Sequence, residues 1–398
     1  GGPGNFPPAG INQAPRLPAQ GGPGNFPPAG FNQAPRLPAQ GGPGNFPLGF
    51  NRIPPQAQQF PAPGQGQGNF YLLQPQVIPQ VSTLSLQELI SSVNGFFSPA
   101  TSVYYEARET RGKGSYGEVF CAVPWTCNKL GICTRQSVTR CVKKVSVADK
   151  LQEDAVMKEV ATLCNFSNHP SIVKFFEALK NPNAGGYYLI MEDAGSLQLL
   201  QWWSSNKNKY NLLKVIGEII SGLAAIHDGG CVHRDIKPQN IMINGGEHVK
   251  IIDFGVSNFI TQFNSLLKTR IGTPLYMAPE MLDGKPYSPK VDIWALGVLI
   301  YEITTGVRPF GNDPSYFLRD VSTREPDWNP FFTASAALGI KDIKKFCSFV
   351  HLMLRKEDVN RSSTADICKE FINILQVESV NLESKYMDSI NMLARRAR

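Results

Sequence analysis

What most limits the fold of this 398-residue chain is a sharp change in composition after residue 80. Residues 1–80 hold most of the 31 prolines and contain no Asp or Glu. The block Gly-Gly-Pro-Gly-Asn-Phe-Pro recurs at Gly1, Gly21 and Gly41, and Pro-Arg-Leu-Pro-Ala-Gln closes the first two copies. This twenty-residue period matches some solenoid repeats, but those need regularly placed Leu, Ile or Val to share a core. Here the apolar residues are mainly Phe, Pro and Ala among glycines, which offer too little buriable surface to offset the entropy of ordering the chain. Residues 1–97 therefore read as a disordered Pro/Gly-rich arm of polyproline II character. The chain begins at Gly1, on a repeat boundary, as expected of a fragment or processed product.

The remaining residues, about 300, suit one large domain or two coupled lobes. Net charge is +7, and Arg16, Arg36 and Arg52 lie in the acid-free arm. The folded part is thus nearly balanced, which argues against a nucleic-acid surface. Cys121, Cys127, Cys133 and Cys141 are evenly spaced but include no Cys-x-x-Cys pair and no histidine. Neither a disulfide scaffold nor a zinc site is expected, and the thiols read as reduced. No run of eighteen apolar residues exists, so no membrane span is expected. A cytoplasmic location follows, with the nucleus as the alternative. Arg395-Arg396-Ala397-Arg398 reads as the solvated end of a tail over residues 376–398.

Beyond the arm the periodicity is regular. Val103-Tyr104-Tyr105 and Val119–Val123 read as strands on either side of a glycine turn, and residues 124–137 as a long loop. Arg140–Val145 and Tyr187–Met191 are further strands. Residues 150–166, 211–227, 291–305, 341–355 and 363–376 have helical spacing. Strands first and helices after predict a small β-rich lobe joined to a larger helical one.

Two motifs carry chemistry. Gly112, Gly114 and Gly117 are followed by a strand rather than a helix, which excludes a dinucleotide fingerprint and leaves a phosphate lid or an ordinary turn. His233-Arg234-Asp235-Ile236-Lys237-Pro238-Gln239-Asn240 is followed thirteen residues later by Asp253-Phe254-Gly255. Two acids, an amide and a lysine at these intervals supply one half of a phosphoryl-transfer site: one acid for the substrate hydroxyl, the other with the amide for Mg²⁺.

On these motifs the sequence resembles the eukaryotic protein kinases, serine/threonine type, over residues 103 to about 375. The resemblance implies an α+β, two-lobed fold, with the N-lobe over 103–191 and the C-lobe over 195–375. It implies ATP and Mg²⁺ as cofactors. The hairpin Gly112, Lys113, Gly114, Ser115, Tyr116 and Gly117 would cover the phosphates. Lys143 would contact them, in preference to Lys144 on the opposite strand face, with Glu159 as its partner. Met191 would be the gatekeeper, followed by a hinge of Glu192, Asp193 and Ala194. Val119, Cys141 and Met242 would sandwich the adenine, or simply pack as core. Asp235 would be the base, Lys237 the γ-phosphate contact, and Asn240 and Asp253 the metal ligands. Gly272–Glu280 resembles the end of an activation segment. Glu280 would bridge to Arg361, and Asp292, Trp294 and Gly297 would brace the scaffold. Arg234 would receive a phosphate on Thr269, with Thr261 and Ser265 less favoured. Departures are the 124–137 loop, a short hinge, and Arg111 where an apolar residue is common.

The expected function is that of a serine/threonine protein kinase acting on protein Ser and Thr hydroxyls. The alternatives are a pseudokinase scaffold and an arm-centred structural protein. Expected partners are protein substrates, an upstream kinase, and proline-recognition domains on Pro15-x-x-Pro18 and Pro35-x-x-Pro38, unless the arm is a passive spacer.

Overall fold

A computed structural model of the chain describes residues 83–114, 117–181, 185–255, 257–259, 274–312 and 314–397, with only the backbone of residues 258–259 and 314–318. The chain divides into two units, Gly1–Gln74 and Pro75–Arg398, and every described residue belongs to the second. The first 82 residues of the expected arm, together with Ser115, Tyr116 and Thr269, lie outside the described residues.

The N-lobe is an eight-stranded sheet carrying two helices. Its elements run β1 (Thr83–Ser85), α1 (Leu86–Ser92), β2 (Gly95–Ser98), β3 (Val103–Gly114), β4 (Gly117–Cys127), β5 (Ile132–Arg135), β6 (Arg140–Ser146), α2 (Lys150–Phe166), β7 (Phe175–Lys180) and β8 (Gly186–Glu192). The strand order is β1-β5-β4-β6-β8-β7, with β3 bridging β2 and β4. The β3–β4 hairpin is the glycine turn. Gly117 has φ +127°, and a Cβ there would meet the Lys144 carbonyl at 2.0 Å, so the turn needs glycine.

The fold corrects the sequence reading in three places. Residues 83–97 belong to the sheet, not to an arm. Ser85 caps α1 reciprocally: its hydroxyl accepts from the Glu88 amide at 3.2 Å, and the Glu88 carboxylate accepts from the Ser85 amide at 2.7 Å. Leu89 and Val93 then pack against Tyr104, Trp125, Cys127 and Cys133. Composition hid this, because the polar, proline-rich arm ends only a few residues before this box.

Second, residues 124–137 are mostly strand. Pro124 stands where β4 changes partner from β6 to β5: Ala122 pairs with Arg140, and Trp125 with Arg135. A missing N–H is tolerated at such a switch. Asn128 then folds the connection, its side-chain oxygen accepting from the amides of Leu130 and Ile132 at 2.9 and 3.0 Å. The resulting register places Cys127 opposite Cys133, and the two are joined as a disulfide rather than held as reduced thiols.

The C-lobe follows with β9 (Leu197–Gln198), α3 (Leu199–Ser205), α4 (Lys209–Asp228), β10 (Cys231–Val232), β11 (Ile241–Ile243), β12 (Val249–Ile251) and β13 (Asn258–Phe259). Helices α5 (Pro279–Leu282), α6 (Lys290–Thr305), α7 (Pro314–Thr323), α8 (Trp328–Ala337), α9 (Ile343–Met353), α10 (Thr364–Glu378) and α11 (Ser384–Ala394) complete it. Helices α4 and α6 are apolar almost all round and form the centre of the core. Leu163 and Phe166 of α2 join that same core, so the lobes share apolar contacts beneath the cleft.

The third correction concerns the tail. Within residues 376–397 the chain finishes α10 at Glu378 and forms α11, which buries Tyr386, Ile390 and Leu393. The Ser221 hydroxyl of α4 donates to the Tyr386 carbonyl at 2.8 Å, while Arg395 and Arg396 beyond α11 are exposed, Arg396 in a surface pair with Asp228.

If residues 83–97 are part of the fold, Leu89→Ala should cost about 2–5 kcal/mol in denaturant unfolding. Ile90→Ala, on the exposed face of the same helix, should stay within about 0.5 kcal/mol.

Candidate active site

A cavity of about 670 Å³ lies in the cleft, lined from above by Gly112, Lys113, Gly117, Val119, Cys141 and Lys143 and from below by Asn240, Met242 and Asp253. Its size is that of ordinary small-molecule sites. Between the lobes the lining passes through Met191, Glu192, Ala194 and Gly195. The short hinge depends on Gly195: its φ is +100°, and a Cβ would meet the Ile243 carbonyl at 2.3 Å. The Glu192 carboxylate accepts from the Lys174 amide and pairs with Lys250, both at 2.7 Å.

At one end of the cavity three elements meet on a single cation. Lys143 of β6 donates to Glu159 of α2 at 2.7 Å and to Asp253, just beyond β12, at 3.2 Å. Burial alone would lower the Lys143 pKa, but the Glu159 and Asp253 carboxylates raise it above the usual lysine value. Asp253, whose burial works the other way, is held below the usual carboxylate range by Lys143. Both stay charged at neutral pH. Lys144 does not line the cavity, as strand alternation predicts.

The residues of the His233–Asn240 motif stand beside this group. Lys237 donates to Asp235 Oδ2 at 2.6 Å, and Asn240 Nδ2 donates to the same oxygen and to the Asp235 carbonyl at 2.9 Å. Asp235 and Lys237 are therefore tied to the cavity through Asn240 rather than lining it. The backbone here is strained: Arg234 has φ +71° and Asp253 φ +63°. What holds the first is Asp292 of α6, fully buried, which accepts from the amides of His233 and Arg234 at 2.8 Å each. What holds the second is packing, since the buried Phe254 ring lies 4.9 Å from His233 and 6.5 Å from Phe166.

A family model described as the protein kinase domain matches residues 105–372. The chain belongs to the protein kinase family. Among curated relatives, NUAK family SNF1-like kinase 1 of Mus musculus is 34% identical over 225 residues, 56% of this chain and 33% of that protein. NUAK family SNF1-like kinase 2 of Rattus norvegicus is 34% identical over 234 residues, 56% of this chain and 35% of that one. SNF1-related protein kinase catalytic subunit alpha KIN12 of Arabidopsis thaliana is 32% identical over 212 residues, 52% and 41% of the respective chains. The chain thus spans less than half the length of these relatives.

The kinase domain is braced far from the cavity by the bridge its sequence implied. Arg361 makes a bidentate pair with Glu280 at 2.6 and 3.0 Å, both side chains buried. Removing either member would leave an uncompensated charge, at about 3–5 kcal/mol. Sequence reasoning missed several lining residues, among them Leu163, Val173, Gln239 and Ile252. Leu163, Val173 and Ile252 are marked only by their place between an apolar core and the cleft, while Gln239 lies inside the His233–Asn240 motif without a role of its own there. It also left unexplained the role of Arg111, which the fold ties to Asp193 in the hinge.

Proposed function

We propose that this chain is a serine/threonine protein kinase that transfers the γ-phosphate of ATP to protein Ser and Thr hydroxyls. The observation that carries this is the Lys143 cation held jointly by Glu159 and Asp253 at the cavity wall. That arrangement leaves a buried positive charge facing the place where phosphates would lie. Gly112 fits the same purpose. A Cβ there would meet nothing within 4 Å, so the fold makes no demand for glycine and the space serves close approach of a ligand to the backbone.

Adenine would lie between Val119 and Cys141 on one side and Met242 on the other. The Glu192 amide already donates to the Lys174 carbonyl at 2.8 Å, so a base contact at this residue falls to its carbonyl. Asn240 and Asp253 offer oxygen donors suited to Mg²⁺, which when bound neutralises charge on the β- and γ-phosphates. Asp235, oriented by Lys237 and Asn240, would position the substrate hydroxyl and accept its proton. Lys237 would then follow the charge as it develops on the γ-phosphate. Catalysis would be chiefly positioning and charge stabilisation, with turnover of roughly 1–100 s⁻¹.

Regulation by phosphate on Thr269 fits the electrostatics around Arg234. Lys158 of α2 has its pKa lowered, first by burial and then by the nearby Arg234 charge, so positive charge accumulates between α2 and the catalytic loop. An anionic phosphate would relieve it. We place the domain in the cytoplasm or nucleus, where ATP and protein substrates meet; among the described residues no helix is long and apolar enough to cross a membrane. The arm's Pro15-x-x-Pro18 and Pro35-x-x-Pro38 are candidate ligands for proline-recognition domains.

Radiolabel transfer from ATP·Mg²⁺ to a basic protein should be seen with wild type and fall at least ~100-fold in Asp253→Asn. Nucleotide binding without transfer, by chain already phosphorylated on its activation segment, would replace the kinase reading with the scaffold. After treatment with an upstream kinase, Thr269→Ala should remain roughly tenfold below wild type; equal activities would remove that site. Pulldowns with residues 1–80 that recover a proline-reading domain, released by Pro18→Ala with Pro38→Ala, would make the arm a ligand. Recovery of none would leave the arm a spacer.

A further inference from the structure

Three glutamines gather at the outer lip of the cavity, on the side of the large lobe. Gln198 ends β9, Gln201 follows in the first turn of α3, and Gln239 lies in the turn Pro238–Asn240. Both β9 and α3 pack on that turn, and all three glutamines line the cavity. The fold leaves them outermost: Leu199 and Trp202 beside the first two are buried, as are Pro238 and Asn240 on either side of the third, while the glutamines are exposed. Among the described residues none of their side-chain amides has a hydrogen-bond partner. Asn240, next to Gln239, donates to Asp235 at 2.9 Å, so the lip borders the place where a substrate hydroxyl would give up its proton.

The charges around this lip are already answered. Glu159 and Asp253 share Lys143. The other carboxylates nearby each have a cation of their own: Glu192 meets Lys250 at 2.7 Å, Asp193 meets Arg111 at 2.5 Å, and Asp235 meets Lys237 at 2.6 Å. A basic side chain beside the target hydroxyl would therefore have to compete with an existing ion pair for its contact, and would gain little. A side-chain amide, in contrast, offers donors and an acceptor together, the complement of another amide, a hydroxyl or a peptide group. We propose that Gln198, Gln201 and Gln239 read the polypeptide substrate: they hydrogen-bond uncharged amide and hydroxyl groups flanking the target Ser or Thr, and the enzyme does not select basic or acidic flanks. The proposal rests on the phosphoryl-transfer reading of this site.

Steady-state transfer from ATP·Mg²⁺ by the full chain, phosphorylated on its activation segment, tests it on peptides that share a central Ser and differ only in their flanks. The flanks are Gln and Asn, Ala, Arg, or Asp. The Gln/Asn peptide should have the highest kcat/KM, about three- to tenfold above the Ala peptide, as one or two net hydrogen bonds would give. Arg and Asp peptides should stay within about twofold of the Ala peptide. Replacing all three glutamines by Ala should bring the Gln/Asn peptide down to the Ala peptide through KM for peptide, with KM for ATP unchanged. Gln201→Glu with Gln239→Glu supplies an unanswered charge, and should raise the Arg peptide relative to the Gln/Asn peptide by about fivefold. Because the side chains are exposed, these variants should melt with wild type. A wild-type preference for Arg or Asp flanks, or a Gln/Asn preference that survives the alanines, would overturn the proposal and leave the enzyme reading intact. A rise in KM for ATP alone would assign the lip to the nucleotide and overturn it as well. Wild type that binds ATP but phosphorylates none of the peptides would remove the phosphoryl-transfer reading itself, and this proposal with it.

Discussion

One ammonium group connects the parts of this structure that matter for chemistry. Lys143 extends from the sheet, and its partners come from a helix of the small lobe and from a loop of the large one. A buried cation is costly unless its charge is answered at short range. That cost sets the positions of α2 and of Asp253 together, because either carboxylate moving away leaves the remaining charges less well matched. The orientation of the cleft is thus fixed by electrostatics as well as by packing. Because α2 also sinks Leu163 and Phe166 into the large lobe's core, rotation of that helix would disturb the ion group and the core at once.

The large lobe answers its own buried charges in the same manner. Asp292 sits in a largely apolar helix and accepts two backbone amides and His227, which keeps its pKa low despite complete burial. Its function is conformational: it stabilises a left-handed Arg234 that an L-residue otherwise avoids. Glu280 and Arg361 form a second sealed pair, with Arg361 also stacked 5.1 Å from the Trp294 ring and donating to three carbonyls. Asp292 thus fixes the shape of the loop at Arg234, while the Glu280–Arg361 pair ties α5 to the start of α6 and to the turn before α10.

Much of this was legible in the sequence, for reasons that differ by residue. The helices over 150–166 and 211–227 and the strand at Arg140 emerge within a few residues of their observed bounds, because their apolar periodicity is strong and local. The Lys143–Glu159 pair was implied by the resemblance to the kinase family, and the group around Asp235 follows from a motif whose residue types and spacing suit phosphoryl transfer. What escaped was either masked by composition or made by distant pairing. The Ser85–Glu88 box is a clear helix start, but the proline-rich stretch before it made the whole region look unfoldable. Cys127 and Cys133 become partners only through a register set by the turn at Asn128. Arg111 and Asp193 are 82 positions apart, and no local pattern links them.

The small lobe's sheet ends at β1, a strand of only three residues hydrogen-bonded to β5. An open sheet edge normally invites a second molecule to add its own strand. Here the residues leading into that edge include Pro75 and Pro79, which have no amide proton to contribute to a ladder. The row of pairing groups that β1 offers is therefore too short to template a long strand. So short an edge strand resists the edge-to-edge association that a longer one would invite.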